Sequence, residues 1–338
     1  MIYFDVTKAG ASGHRSGLMR VSARLAQGLG AVSSEVRWPE WKRIVTPNDW
    51  FLTGELFSDE ERPGFSEFLA VPPCRLAAIF HDAIPLKVPH VTWPQSVARH
   101  PGYMKLLARF DRVWAVSKAS RAELIGFWKW QGLEKTPPVE VLALGADFSG
   151  APRVFARAAA SKPSLLCVGI VEPRKNQAFL LDVCEELWSG GLAFDLHVVG
   201  RVNPHFGVPI AARIKALAKR FPGLHFHEAA DDTTLARLYA TARATVLPTI
   251  AEGCGLPLLE SLWMGVPCVC SDLPVLHENA VGGGCVPVAL KDRAAWRNAL
   301  RRVLTDGAWH ARLTQEAMTR ALPTWYGAAE TIRRALGA

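Results

Sequence analysis

The segment SLLCVGIVEPRKNQAFLLDVCEELWSGGLAFDLHVVG, residues 164–200, decides the fold. SLLCVG (164–169) is a short apolar run of the kind buried in a parallel sheet. NQAFLLDVCEELW (176–188) sets Leu180, Val183, Cys184 and Leu187 on one helical face, and DLHVVG (195–200) reads as the next strand. The pattern continues with a helix over 209–220 (Ile210, Ile214 and Leu217 aligned), the strand LHFH (224–227) and a helix over 232–242. ATVLP (244–248), a helix from about Pro257, and PCVCSD (267–272) complete the alternation, with CVPVAL after a turn at Gly282–Gly284. Such alternation predicts an α/β, doubly wound parallel sheet. Ligands of such sheets sit beyond the carboxyl ends of the strands, here the loops after Gly169, Gly200 and Pro248.

Upstream, IYFDVT (2–7) runs into KAGASGHRSG and a helix from Leu18 with Val21, Leu25 and Leu29 aligned, Ser16 as N-cap and Gly30 as stop. DWFLTG (49–54), RLAAIF (75–80) and RVWAVS (112–117) are strand candidates, the last followed by a helix from about Ser120. Residues 145–163 are small, polar and weakly periodic, and read as an interdomain linker. A chain of 338 residues suits two domains, 1–150 and 151 onward, facing each other across a cleft.

Composition narrows the function classes. With 49% apolar and 21% charged residues, cores are expected and disorder is not. No apolar run approaches the ~18 residues of a membrane span, and MIYFDVT lacks the features of a secretory leader. Seven cysteines without zinc-site spacing fit buried, reduced thiols, so the expectation is cytoplasmic. The net charge of +8 is spread, with 18 Lys+Arg against 15 Asp+Glu in residues 1–150 and 21 against 16 in residues 151–338. That supports attraction to anions and gives no nucleic-acid-binding arm.

The chemistry concentrates in AEGCGLPLLESLWMGVPCVCSDLP, residues 251–274. Gly253 and Gly255 permit a tight loop with exposed N–H groups, Pro257 suits a first helical turn, and a helix start so presented attracts a diphosphate. Glu252 and Glu260, seven residues between them, make sense there if Glu260 holds a ribose diol and Glu252 a sugar. Taken alone, such a pair is more often a cap and a solvated helix Glu. Likewise Pro-Arg-Lys-Asn at 173–176 alone is an ordinary basic turn. Together, Arg174 and Lys175 at the end of one strand would face the glycine-rich helix start at the end of another, and Arg can grip a diphosphate with two parallel hydrogen bonds.

EPRKN followed by an apolar helix, then PTIAEGCGLPLLESLWMGVPCVCSDLPVLHE, resembles the retaining nucleotide-sugar glycosyltransferases of family four, which have the GT-B fold. Glu252 and Glu260 fill the two acidic positions of that family's string. HDAIP (81–85), VSKASRAEL (116–124) and HRSGLMRVSARL (14–25) resemble its first-domain motifs. PTWYGAAETI (323–332) resembles its closing helix, which implies domains 1–150 and 151–322 with residues 323–338 crossing back to the first. Ile170 stands where many members carry Arg, so the phosphate cations would be Arg174 and Lys175. The branch sharing EPRKN assembles bacterial polysaccharides and includes mannosyl- and rhamnosyltransferases.

The resemblance implies that Arg174 and Lys175 stabilise the departing nucleoside diphosphate and that Glu260 binds the ribose. Glu252, with backbone N–H groups over Gly253, Cys254, Gly255 and Leu256, would hold the donor sugar. His81 would approach the sugar from the first domain and Gly17 would let the first loop near the diphosphate. Attack on the face that the diphosphate leaves implies retention of configuration. No Asp-x-Asp occurs in the sequence, so no metal or other cofactor is expected. The implied partners are a nucleotide-sugar donor, with GDP-mannose first and a rhamnose nucleotide as alternative, and a lipid-linked oligosaccharide or polysaccharide acceptor.

Two other functional classes match the sequence less well. A nicotinamide enzyme would need Gly-x-Gly-x-x-Gly, which GASGHRSG (10–17) does not supply. A non-catalytic basic protein binding nucleotide or a membrane surface would use GFWKWQGL (126–133), whose Trp residues either pack inward or reach a lipid surface. Peripheral contact with the inner membrane face would suit a lipid-linked acceptor. His225 and His227 share one strand face without a third ligand nearby in sequence.

Overall fold

The computed structural model describes residues 1–9, 17–40, 45–147, 153, 155 and 162–337. The expected cap Ser16 and most of the 145–163 segment therefore lie outside the described residues. The chain divides into two compact units, Met1–Gly145 with Pro323–Ala338, and Ala146–Leu322. The division falls at Gly145/Ala146, inside the segment read as a linker. Arg153 already belongs to the second body, its guanidinium donating to the carbonyls of Leu262 (2.5 Å), Arg320 (2.8 Å) and Trp263 (3.0 Å).

The first unit holds β1 (Ile2–Asp5), β2 (Ser33–Val36), β3 (Trp50–Thr53), β4 (Arg75–Phe80), β5 (Arg112–Ala115) and β6 (Val139–Val141). They form one sheet in the order β2-β1-β3-β4-β5-β6, parallel throughout. The edge strands β2 (SSEV) and β6 (VEV) are short and half polar, and were not among the sequence candidates. The C-terminal helix Trp325–Leu336 lies against the helix Gly17–Leu29 of the same unit, burying Trp325, Ala328, Ala329, Ile332 and Leu336. Gly28 makes this approach possible, since a Cβ there would stand 2.8 Å from Ala329 Cβ. Trp50 Nε1 donates to Leu336 O at 2.9 Å, and Arg333 to Leu29 O at 2.7 Å.

The second unit holds β7 (Ser164–Val168), β8 (Asp195–Val199), β9 (Leu224–His227), β10 (Ala244–Leu247), β11 (Cys268–Ser271) and β12 (Cys285–Val288), in the order β12-β11-β10-β7-β8-β9 and parallel throughout. Alternate residues of β7 face opposite layers, as strand geometry dictates. Leu165 and Cys167 join a core with Leu180, Val183, Cys184 and Trp296, while Leu166 joins Leu235, Leu238 and Tyr239 on the other side. The sheet is thus doubly wound. From β7 the chain builds outward to β9, then returns to place β10 beside β7 and builds the other way. Strand order reverses between β7 and β10, where such sheets open a crevice. Among the described residues no helix is long and apolar enough to cross a membrane.

Candidate active site

The loops leaving β7 and β10 meet at this reversal and are laced together. β7 runs into Gly169, whose φ of +150° disfavours any L side chain, and Lys175 lies across it with Cε 3.4 Å from where a Cβ would stand. Pro173–Lys175 make one 3₁₀ turn, closed by Asn176 at φ 58°. Asn176 Nδ2 donates to Pro248 O at 3.1 Å. The Arg174 carbonyl accepts from the Ile250 N–H at 2.9 Å and the Thr249 hydroxyl at 3.1 Å. Backbone and side-chain bonds therefore fix both cations against the segment that carries Glu252.

Lys175 Nζ pairs with Glu252 Oε1, and Arg174 Nη1 donates to Ala251 O at 3.1 Å while lying 3.8 Å from Glu252 Oε2. The second Arg174 arm, Nη2, binds Glu172 Oε1 at 2.7 Å. Both side chains of the Lys175–Glu252 pair are nearly buried, 11% and 8% exposed. Burial drives the Glu252 carboxyl upward, yet the Lys175 and then the Arg174 charge outweigh it and hold its pKa below the ordinary carboxylate value. Glu252 is ionised at neutral pH.

After Glu252 the chain turns through Gly253, Cys254 and Gly255 into the helix Leu256–Trp263, with Pro257 in its first turn. Gly255 holds φ 79°, and a Cβ there would come within 2.7 Å of Leu276 Cδ2. Asn279 Nδ2 donates to Cys254 O at 2.6 Å and ties the loop to the following helix. The result is a positive helix terminus beside two fixed cations. Burial, then Glu252, pushes the Cys254 thiol up to about 12, so it stays neutral. Glu260 is buried one turn into the helix, where the Tyr239 hydroxyl donates to its Oε2 at 3.4 Å.

Of the sequence-read residues, Arg174, Lys175, Glu252, Gly253, Cys254, Gly255, Leu256 and Glu260 are gathered at this one place. His81 and Gly17 belong to the first unit. His81 follows β4 directly and is buried, with Nε2 donating to Gly54 O at 2.8 Å. Burial above all keeps its pKa low, against the pull of Asp82, so the ring is neutral and Nδ1 is its acceptor nitrogen. Asp82 orders that loop, accepting from Ile84 N–H at 2.9 Å. Gly17 opens the helix Gly17–Leu29, and the rest of its loop, residues 10–16, lies outside the described residues.

Sequence reasoning missed Glu172, Asn203 and Tyr239. Glu172 sat inside the quoted EPRKN string, but no spacing rule marks it as Arg174's partner. Asn203 and Tyr239 come from other loops and helices. Of the two tryptophans considered for a lipid surface, Trp128 is core, its Nε1 donating to Met104 O at 2.7 Å, whereas Trp130 is 77% exposed. His225 and His227 do share a face, and His197 of β8 joins them, its Nδ1 3.0 Å from His227 Nε2. Among the described residues no group of three or more side chains is arranged to hold a metal ion.

The chain is similar to known proteins in sequence and in fold. Residues 162–306 match the family model described as "Glycosyl transferases group 1". The serotype-specific mannosyltransferase WbdA of Escherichia coli is 31% identical over 217 residues, which cover 60% of this chain and 26% of WbdA. The chain thus spans about a quarter of the length of that relative. The sucrose-phosphate synthase of Thermosynechococcus elongatus superposes with a TM-score of 0.78 at 18% identity, covering 99% of this chain and 97% of that one. Anabaena HepE, solved with UDP and glucose, gives 0.72 at 14% identity, covering 100% and 99%. At these identities the likeness concerns the fold, and the fold is GT-B.

Proposed function

From the match of residues 162–306 to the glycosyl transferases group 1 model on a chain of GT-B fold, we propose that this protein is a retaining glycosyltransferase that moves a hexose from a nucleoside-diphosphate sugar to a lipid-linked oligosaccharide or polysaccharide. The observation that carries the reading is the convergence of Arg174, Lys175 and the start of the helix Leu256–Trp263 where the strand order reverses. Glycosyl transfer leaves negative charge on a departing diphosphate, and fixed cations beside a helix N-terminus stabilise it by pre-organised electrostatics. Lys175 would exchange Glu252 for a phosphate oxygen, releasing Glu252 to accept from a sugar hydroxyl. Glu260, buried beside Tyr239, would receive the ribose hydroxyls. In this reading the two cations and the helix start stabilise the leaving group without a metal, so a chelator should leave turnover unchanged.

The mannosyltransferase relative supports GDP-mannose as the first donor to test, and its serotype specificity supports a polysaccharide acceptor. Exposed Trp130 beside Lys129 supports peripheral contact with a membrane on the cytoplasmic side. Vesicle co-sedimentation that Trp130→Ala leaves unchanged would remove that part. The central test is a thermal-shift screen against nucleotide sugars, GDP-mannose and rhamnose nucleotides included. A donor at a hundred times its Kd adds about 2.7 kcal/mol, and a panel without any shift overturns the reading. The anomeric configuration of the product, read by NMR, decides retention.

A further inference from the structure

Glu172 poses a problem for a site that must attract an anion. Through space, a carboxylate 2.7 Å from Arg174 cancels the charge that a diphosphate needs. It is nevertheless built in with care. Its side chain is 10% exposed, and its Oε2 accepts from Asn203 Nδ2 at 2.9 Å. Asn203 is itself fixed, its N–H on Val171 O at 3.0 Å and its Oδ1 accepting from His205 and Phe206 N–H groups at 2.9 and 3.3 Å. The Glu172 N–H is given to Gln177 Oε1 at 3.3 Å, and Gln177 Nε2 holds Ile170 O at 2.9 Å. Glu172 at 2.7 Å and Glu252 at 3.8 Å both stand within reach of Arg174, and Glu252 already has Lys175.

Resting on the donor-site reading above, we infer that Glu172 is a positioning residue for Arg174. Anchored by Asn203 on the β8 side, it holds one arm of the guanidinium at 2.7 Å and leaves the other 3.8 Å from Glu252, beyond the direct hydrogen bond that Lys175 makes there. The second cation then stays separately placed for a phosphate oxygen, and the planar fork is fixed in advance. The energetic sign separates this role from a simple charge effect. Removing a negative charge without loss of geometry tightens anion binding, whereas removing a positioning group weakens it.

The experiment measures GDP and UDP binding by calorimetry, and turnover with the sugar nucleotide found in the screen, for wild type, Glu172→Gln, Arg174→Ala and the double variant. Glu172→Gln should weaken diphosphate binding and lower kcat about tenfold, and Glu172→Asp should restore part of the loss. In the Arg174→Ala background the same change should cost less than about twofold, because the two residues act as one unit. Asn203→Ala, which removes the anchor and leaves the charge, should act in the same direction, and it carries the test if Glu172→Gln does not fold. Tighter nucleotide binding by Glu172→Gln, or an equal loss with and without Arg174, overturns the positioning role and leaves the donor site standing. Failure of the wild type to bind either nucleotide overturns both.

Discussion

Arg62 is wholly buried in the first unit, its Nη2 2.6 Å from Asp5 and 2.7 Å from Glu55, with Phe57 and Phe65 rings against the guanidinium. Its Nε and Nη1 have no hydrogen-bond partner among the described residues. Glu55 uses its remaining lone pairs on the N–H groups of Lys8 and Ala9, and Thr53 donates to Asp5 at 2.7 Å, so the triad pins the carboxyl ends of β1 and β3. Burial, then repulsion from Asp5, raises the Glu55 carboxyl pKa. Arg62→Met leaves two buried carboxylates facing each other and should cost about 3–5 kcal/mol in urea unfolding at neutral pH. The raised folded pKa means that the penalty shrinks as the pH falls and Glu55 takes up a proton. His197 gives the opposite sign. Burial, then the neighbouring His225 and His227, pushes it down from 6.5 to about 4. Its contribution is whole above 6.5 and drains as the pH falls towards 4, because the unfolded imidazole binds the proton first. His197→Asn should flatten Tm against pH in that window. At the donor site, Lys175→Ala should lower kcat by about a hundredfold or more, and Glu260→Ala should chiefly raise the donor KM. Wild-type kinetics in both would reject the assignment.

At the scale of elements, the site depends on how one eight-residue helix begins and ends. Gly255 starts it at φ 79° with no room for a methyl group against Leu276, so Gly255→Ala should destabilise the second unit by about 1–3 kcal/mol and displace the N–H groups of the turn. Arg153 gathers the carbonyls of Leu262 and Trp263 at the other end, where a cation complements the helix dipole. Arg153→Ala should cost about 1–3 kcal/mol, read by chemical denaturation, through carbonyls left unmatched. The glycine was legible, since Gly-Cys-Gly before Leu-Pro demands a tight entry to a helix. Arg153 was not, because it lies in a polar, aperiodic stretch and its partners are more than a hundred residues away.

At the scale of the whole molecule, the last helix belongs to the first unit although it follows the second in sequence. Deleting residues 323–338 should uncover the face of the helix Gly17–Leu29 and lower the stability of the first unit, while the unit formed by 146–322 unfolds as before. Hydrogen exchange resolved by segment would show protection lost around Leu25 and Leu29 but kept in β7 and β8. Equal loss in both units would contradict this division. Much of the architecture could be read from local pattern, because a buried parallel strand must be an apolar run and a crossover helix must carry a stripe at helical spacing. Residues 164–288 contain little else, and the six strands of the second sheet stand where that pattern puts them. The edge strands β2 and β6 escaped because a strand paired on one side needs no continuous apolar run. What sequence alone settled, then, was the succession of strands and helices and the residue types at the two loops, since periodicity and glycine conformation are local properties. What folding decided was who meets whom: Glu172 with Arg174, Asn203 with Glu172, Tyr239 with Glu260 and Arg153 with the carbonyls at a helix end. Those pairings are set by strand order and helix packing, which bring distant positions within a hydrogen bond and leave no periodic trace in the chain.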